Sequence, residues 1–556
     1  MVVPAWSSTK CEDDCGVVEC TPIEGECCAR GQYGESSQRG KAQPLRKLKV
    51  IHLAPVLAII ALFAWAFASP MGAAPDDDFH LVSTWCAVVD GTTCSPGVSA
   101  NSRLVPEAIL NSACYEGVPT ESAACQRNFS SSSTPDVLTK RGNFVGAYPP
   151  VYYTVMHLFV GDDILTSVVI MRLVNVLLFV GLTTALFWLL PIPRRQTLLL
   201  AWMITTIPMG MFLIASNNPS GWAVVGVGTS WLALLGYMES RGRRKWGLGV
   251  IALAATIMAA GSRSDAAIYA VLGIGAVFVL TFPRARAKWR SYALDAILPI
   301  ALVGICIAFV AVSGQTQSGI NGFGSQPATG PGAPSPVVTP QSLTGFGRFA
   351  YNLLNIPFLW AGNFGQSGLG WMDTSLPSIV TFGTISCLVA VGFVGLSRLW
   401  GRKLFVVLGA GFALCAVPLF VLTRGGQIVG EVVQPRYVLP LIVLLAGLIL
   451  LTQGSGRLTL TRAQSVLIIA TLSVANMVAM HMNIRRYVTG VDGGGVNLDA
   501  GVEWWWNIAI SPMGVWIIGS LAFAGAISIM VYEVAWPKRN TIPNPNPIPK
   551  LTIREG

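Results

Sequence analysis

The chain has 556 residues, of which 53% are hydrophobic and only 12% are charged. Because an ordinary soluble domain carries about 25% charged residues, this composition excludes a water-soluble fold and predicts an integral membrane protein. The net charge of +10 does not indicate a nucleic-acid partner, since the Lys and Arg residues cluster in short segments between apolar runs.

The first 49 residues form a polar leader rich in cysteine and acidic residues. No apolar run precedes Val50, which predicts a retained signal anchor rather than a cleavable signal peptide. Residues 533–556 form a Pro-rich cytoplasmic tail with no core of its own. The leader cysteines lack the paired C-x2-C spacing of zinc sites, so we expect a disordered cytoplasmic segment around Cys11, Cys15, Cys20, Cys27 and Cys28.

Between these ends, residues 50–532 contain apolar runs of roughly 17–25 residues, long enough to cross the hydrocarbon core as helices. The sequence therefore predicts an all-α integral membrane domain with about twelve transmembrane helices. Basic residues follow every second run, which predicts that both termini lie in the cytoplasm. The runs lie near 50–68, 164–190, 197–214, 220–238, 246–261, 266–283, 293–312, 377–396, 404–422, 438–453, 463–483 and 512–532.

Two long loops are expected on the outer face. The first, residues 69–163, contains an amphipathic entry stretch at 148–153, whose aromatic side chains suit the membrane interface. The second, residues 313–376, begins with a Gly- and Pro-rich tract typical of a flexible linker. The first loop is expected to be oxidised, because two disulfides in three alternative pairings can form among Cys86, Cys94, Cys114 and Cys125.

An acidic cluster directly follows the first apolar run. It comprises Asp76, Asp77 and Asp78, with Phe79 and His80 after them. Such carboxylates can act as a general base, because burial and mutual repulsion raise a pKa towards neutrality. They can also bind a divalent cation, and the plain alternative is a solvated acidic turn. Proximity to Phe79 favours Asp77 or Asp78 over Asp76 as the base, and His80 is a candidate substrate-binding residue.

Charged residues also interrupt two apolar stretches. Arg263 and Asp265 lie between the fifth and sixth runs, where charges usually face the protein interior or a wet cavity. They are candidates for substrate binding, and the alternative is an ion pair that pins a tight turn. Arg172 falls inside the second run, where snorkelling or an intramembrane pair is the commoner explanation.

Two loop segments complete the set of candidate substrate-binding residues. Arg436 can bind a phosphate through its planar guanidinium, with Gln434 and Tyr437 beside it. Trp371 can stack on a sugar ring while Asp373 binds a hydroxyl, although a tryptophan at the membrane interface is nearly as good an explanation. All of these residues are expected to open on the outer face.

The segments together resemble a bacterial membrane family labelled domain of unknown function 2142, common in actinobacteria. The resemblance covers roughly residues 50–480, and Asp78 stands where that family is expected to have Glu. The family in turn resembles the C superfamily of glycosyltransferases (GT-C), which implies a polyprenyl-phosphate sugar donor and a catalytic acid in the first outer loop. The resemblance depends on 75–80, 148–150, 218–221, 261–265, 370–377 and 434–440.

Three functions are compatible with these patterns. The first is a membrane glycosyltransferase that moves a sugar from a polyprenyl-phosphate lipid to a cell-envelope glycan or protein acceptor on the outer face. The second is a transporter or flippase of lipid-linked or envelope glycans, for which two related halves and broken helices are expected. The third, a non-catalytic assembly protein, leaves the outer acids unexplained. No Walker A loop, dinucleotide fingerprint or His-Glu-x-x-His helix is present.

Overall fold

A computed structural model of the protein describes residues 49–89, 93–127, 129, 135–315, 345–454 and 456–536. The leader cysteines, the Gly- and Pro-rich tract of the second loop and most of the Pro-rich tail lie outside the described residues. The first nine helices are α1 Ala54–Phe67, α2 Asp77–Trp85, α3 Glu107–Leu110, α4 Val151–His157, α5 Ile164–Leu189, α6 Ile192–Thr205, α7 Met209–Ile214, α8 Pro219–Glu239 and α9 Arg243–Ser262.

Nine more helices follow, and short 3-10 turns at Val50–Leu53 and Pro435–Tyr437 flank α1 and α16. A π-helical turn, Gly362–Gln366, continues the helix before it. The later helices are α10 Ser264–Thr281, α11 Trp289–Asp295, α12 Ile297–Val312, α13 Gly345–Ala361, α14 Ser378–Leu396, α15 Gly401–Gly425, α16 Leu439–Ile449, α17 Arg462–Val488 and α18 Pro512–Val534.

Nine helices in the described part of the chain are long and apolar enough to cross a membrane. They correspond to nine of the predicted runs, so the prediction of a multispanning helical membrane domain is confirmed. The nine are α1 with its preceding turn, α5, α8, α9, α10, α14, α15, α17 and α18.

The other three predicted runs do not form long straight helices, so a count of twelve is not confirmed. The run at 197–214 is divided between α6 and α7 at Pro208, because a proline cannot continue the hydrogen-bonded helix. The run at 293–312 belongs to α11 and α12, which bend by 46° and give a tenth span if counted together. The run at 438–453 yields only the 11 residues of α16.

The centre of the bundle is α8, whose side chains are almost all buried. It packs closely on α9 at Gly226, where an added Cβ would stand 2.6 Å from the Ala255 carbonyl oxygen. Small residues at such positions allow helix backbones to approach within a membrane. The short α16 packs against α6, α8 and α15, so its apolar side chains face protein rather than lipid.

The first span packs against α18 and is hydrogen-bonded to α17, the last two helices of the described residues. Gly519 of α18 lies so near Ala64 that an added Cβ would come within 2.4 Å of the alanine Cβ. The indole Nε1 of Trp65 donates a 3.0 Å hydrogen bond to Oδ1 of Asn476 in α17, across 411 positions of sequence. The bundle is therefore closed by contacts between its two sequence ends.

The first long loop, residues 69–163, contains β-strands, which corrects the all-α prediction. It contains a three-stranded antiparallel sheet in the order β1 Ser95–Pro96, β2 Arg103–Pro106 and β3 Asp136–Thr139. The predicted disulfides are present, pairing Cys86 with Cys94 and Cys114 with Cys125. The last three residues of the predicted entry stretch, 148–153, begin α4, where Tyr152 and Tyr153 are buried inside the protein rather than placed at the membrane interface.

The bundle has two chemically different ends. One, which we call the acidic end, contains Asp76 to Asp78. The other, the basic end, contains Arg194, which pairs with Glu239, and Lys245, which pairs with Asp295. Both ends of the described membrane domain lie at the basic end, since His52 stacks on Trp188 and Gln196 bonds to the Val534 carbonyl.

Candidate functional site at the acidic end

The acidic cluster is positioned by an unusual backbone turn. Asp76 has φ +63° and ψ 17°, the left-handed region that Asp and Asn tolerate better than most residues. It is the N-cap of α2, but its side chain makes no capping hydrogen bond. Its carboxylate is therefore directed to other partners. Backbone strain of this kind is concentrated at functional sites.

The three carboxylates have three different environments. Asp76 has 35% of its side chain exposed and accepts a 2.5 Å hydrogen bond from Nη2 of Arg436. Asp78 is bound through both carboxylate oxygens by Arg141, which also lies 3.6 Å from Asp76. Asp77 is completely buried and accepts a 3.2 Å bond from the Ala74 amide. The structure therefore makes Asp76 the most accessible acid, although proximity to Phe79 favoured its two neighbours.

The pKa values of Asp76, Asp77 and His80 are shifted in different directions by their surroundings. Burial disfavours the charge of Asp76, but the guanidinium groups of Arg436 and Arg141 outweigh it and lower the pKa of this carboxyl. Burial raises the pKa of Asp77 to about 7, against the opposing charge of Arg172. Burial also lowers the pKa of His80 to about 3, so its ring is neutral at physiological pH. Asp76 is thus held as a carboxylate.

His80 is held inside the protein beneath the acids. Its Nδ1 lies 2.9 Å from the hydroxyl of Tyr153, and its ring packs edge-on against Phe79 and Tyr148. The ring is only 1% exposed. This favours a structural role for the ring over direct contact with a substrate.

Two buried arginines flank one aromatic ring beside Asp76. The Cζ atom of Arg263 lies 4.5 Å from the ring centre of Tyr437, and that of Arg436 lies 5.1 Å from it. In the described part of the chain, Nη1 of Arg263 and Nε of Arg436 are buried without a hydrogen-bond partner. Unsatisfied guanidinium groups in a buried site favour an anionic ligand such as phosphate.

Other hydrogen bonds of Arg263 and Arg436 stabilise the two turns in which these arginines lie. Arg263 binds Asp265 through two 2.9 Å hydrogen bonds, which fits the alternative of an ion pair that pins the α9–α10 turn. Arg436 also donates a 3.0 Å bond to the Pro75 carbonyl, so it ties the 3-10 turn to the acidic cluster. Gln434 begins that turn, and its carbonyl accepts the Tyr437 amide.

An apolar cleft of about 320 Å³ lies next to these residues, between α10 and α15. Asp265 and Tyr437 line one part of it, while Ile268, Val417 and Val421 make its wall apolar. A cleft of this kind suits a hydrocarbon chain whose polar end reaches the arginines.

Trp371 and Asp373 take part in a separate set of contacts. The indole of Trp371 donates a 2.9 Å bond to the Gly72 carbonyl, just upstream of the acids. Asp373 accepts a 2.8 Å bond from Arg486, and both side chains are buried. Arg486 also binds the Tyr115 carbonyl, which holds the first loop in place. These contacts favour a structural role for Asp373 over hydroxyl binding.

Arg141 and Arg172 make contacts around the acidic cluster that the sequence did not predict. Arg141 neutralises Asp78, and its only sequence signal is a basic Lys140-Arg141 pair in a loop predicted to be outside, where basic residues are disfavoured. Arg172 is fully buried and binds the carbonyls of Ala66, in the last turn of α1, and of Ser69 and Pro70, just after it. The position of Arg172 inside an apolar run indicated that it was unusual, but nothing in the sequence indicated which groups it binds.

The predicted cation site has no ready ligand set. Within the described ranges, no group of three or more His, Cys, Asp or Glu side chains is arranged to hold a metal ion. Asp76 and Asp78 are instead neutralised by arginines.

The fold and the site at the acidic end define a class of protein: a multispanning helical membrane protein with a disulfide-bonded first loop and a cluster of carboxylates and arginines. The chain belongs to the family described as Predicted membrane protein (DUF2142), whose sequence profile matches residues 59–445. This confirms the family resemblance deduced from the segments above. No curated protein and no solved structure matches the chain.

Proposed function

We propose that the protein is a glycosyltransferase of the bacterial plasma membrane, similar in plan to the GT-C enzymes. Its donor is a sugar on a polyprenyl phosphate, and its acceptor is a cell-envelope glycan or protein. The acidic end faces outward and both chain termini face the cytoplasm, in accord with the distribution of basic residues. The observation that supports this most directly is the partly exposed carboxylate of Asp76, which pairs with Arg436 next to Tyr437, a residue that contacts Arg263 and lines the apolar cleft.

The chemistry follows from this arrangement. Asp76 removes a proton from the acceptor hydroxyl, whose oxygen forms a new bond to the anomeric carbon of the sugar. The bond from that carbon to the phosphate oxygen breaks, and the lipid phosphate leaves with the electron pair. Arg436 and Arg263 stabilise the charge of the departing phosphate.

The pair between Arg436 and Asp76 gives the donor a way to activate the base. A phosphate that binds Arg436 competes for the guanidinium that now lowers the pKa of Asp76. Weakening this pair raises the pKa of the carboxyl and makes it a stronger base. The carboxylate would then become an effective base only when a donor is bound.

The test is sugar transfer from a panel of radiolabelled polyprenyl-phosphate sugars in membranes that overexpress the chain. Membranes with an equal amount of the Asp76→Asn protein are the matched control. We expect labelled product above that control for at least one donor. Equal incorporation in both membranes across the panel would contradict the proposal.

Transport of a lipid-linked glycan is the second candidate. One observation favours it: α6 and α7 are interrupted between Thr205 and Met209, and broken helices are a feature of carriers. Proteoliposomes that hold a labelled lipid-linked glycan in one leaflet separate the two functions. Movement between leaflets without any change in the glycan would favour transport.

A further inference from the structure

A second polar pocket lies at the basic end, away from Asp76. Its cationic lining comes from Lys49, Arg195 and Arg457, and Glu533 is the single carboxylate among its lining residues. Lys49 and Arg457 are exposed and make no ion pair within the described residues. Three cationic groups against one carboxylate leave the pocket with an excess of positive charge, which suits an anionic ligand.

The central cation of this pocket is held firmly in place. Arg195 donates hydrogen bonds to the carbonyls of Leu190 at 2.9 Å and Trp188 at 3.2 Å. Its Cζ atom also lies 5.0 Å from the Phe187 ring centre and 5.5 Å from that of Trp188. A guanidinium fixed in this way loses little freedom when it binds a phosphate.

An apolar groove begins at the same place. Phe187 lines both the pocket and the groove, which runs between α1, α5, α6 and α18. The groove residues of α1 extend from Ala54 to Leu62, which is roughly 12 Å of helix. One leaflet contributes about 15 Å of hydrocarbon, half of a core about 30 Å thick, so the groove matches most of its depth.

We propose that the pocket and the groove together bind one anionic phospholipid of the adjacent leaflet. Its phosphate pairs with Lys49, Arg195 and Arg457, and one acyl chain lies in the groove. A free phosphate would leave the apolar groove unused, and a zwitterionic lipid would leave the excess positive charge without a partner. This site is independent of the proposed transferase centre at the opposite end.

The experiment is a thermal unfolding assay of the full chain in a neutral detergent, with phosphatidylglycerol, phosphatidylcholine or inorganic phosphate added. We expect phosphatidylglycerol alone to stabilise the protein. The double variant Lys49→Gln, Arg457→Gln should bind this lipid roughly tenfold more weakly or worse, since each basic group near an anionic lipid contributes about 1 kcal/mol. Both side chains are exposed, so these changes leave the packed interior intact.

A matched control is the double variant Arg241→Gln, Arg290→Gln, two exposed basic residues outside the pocket. It should respond to phosphatidylglycerol as the unchanged protein does. A third variant, Ala58→Trp, fills the groove and should weaken the lipid effect while all three cations remain.

Three outcomes would overturn the proposal. Equal stabilisation of the Lys49, Arg457 double variant would show that the pocket does not select the lipid. Equal stabilisation by inorganic phosphate would make it a site for a free anion, and equal stabilisation by phosphatidylcholine would remove the role of charge.

Discussion

Nη2 of Arg436 donates a 2.5 Å hydrogen bond to Oδ2 of Asp76, although 360 positions separate the two residues in the chain. The same guanidinium binds the Pro75 carbonyl through Nη1. The segment after the first span and the turn before α16 are therefore joined at Asp76, the most accessible carboxylate of the acidic cluster.

Asp76→Asn should reduce sugar transfer by about 10²–10⁴-fold, because the amide cannot accept the acceptor proton. Asn tolerates the left-handed backbone at this position, so the protein should still insert and purify. The measurement is transfer rate per mole of purified protein, and the control is Asp162→Asn, at an exposed position outside the cluster. Full activity of the Asp76→Asn protein would remove this residue from the role of base.

Arg436→Lys should impair transfer by roughly tenfold or more while the protein stays folded. A lysine keeps the charge but cannot bind the Pro75 carbonyl, Asp76 and a phosphate through a planar fork. Transfer rate and unfolding temperature are measured side by side, with Arg290→Lys as the control. Wild-type transfer in a normally folded Arg436→Lys protein would exclude the phosphate-binding role.

Asp77→Asn should become more stable relative to the unchanged protein as the pH rises. The unfolded chain releases this proton near the ordinary pKa of 3.8, whereas the folded protein keeps it up to about pH 7. Between these values the folded state binds more protons, so the unchanged protein loses stability as pH increases and the amide variant does not.

Thermal unfolding at about pH 5 and about pH 8 measures this effect. Asp162→Asn, at an exposed position, controls for the loss of a carboxylate. An equal difference in unfolding temperature between Asp77→Asn and the unchanged protein at both pH values would contradict the prediction.

The four loop cysteines should resist a membrane-impermeant thiol reagent on intact cells until a reductant is added. The reason is that Cys86 pairs with Cys94 and Cys114 pairs with Cys125. A Cys114→Ser variant should expose one reactive thiol and label without reductant. Ready labelling of the unchanged protein before reduction would show that the loop is not oxidised.

Local composition was sufficient for most of the fold. Nine apolar runs became long helices because length and hydropathy alone decide whether a segment can span the bilayer. Length and hydropathy did not predict the break at Pro208, which a proline causes, or the short α16, whose burial within the bundle removes the need to match the bilayer thickness. The small sheet was also not predicted, because strands of two to four residues are too short to show a periodic pattern in the sequence.

The sequence indicated part of the candidate site, but not Arg141 and not the pairings among its charged groups. The sequence indicated that Asp76, Arg263 and Arg436 would lie at one end, and the structure places them there. Adjacent residues entering a helix point about 100° apart, so one aspartate of three turns inward and another meets Arg141. Which aspartate is buried depends on contacts with distant segments, and no local pattern encodes that choice.

The closure of α1 on α17 and α18 has a consequence for biosynthesis. The ribosome delivers Trp65 to the membrane more than 400 residues before Asn476, its hydrogen-bond partner, is made. Until then α1 must wait beside lipid or the insertion machinery with its indole donor unpaired and its Ala64 surface uncovered. A chain that terminates before α17 would keep that surface open and lack Asn483, which binds the Ala68 carbonyl at the entrance to the acidic turn. Quality-control proteases of the membrane would therefore meet truncated chains in a form that the finished protein never presents.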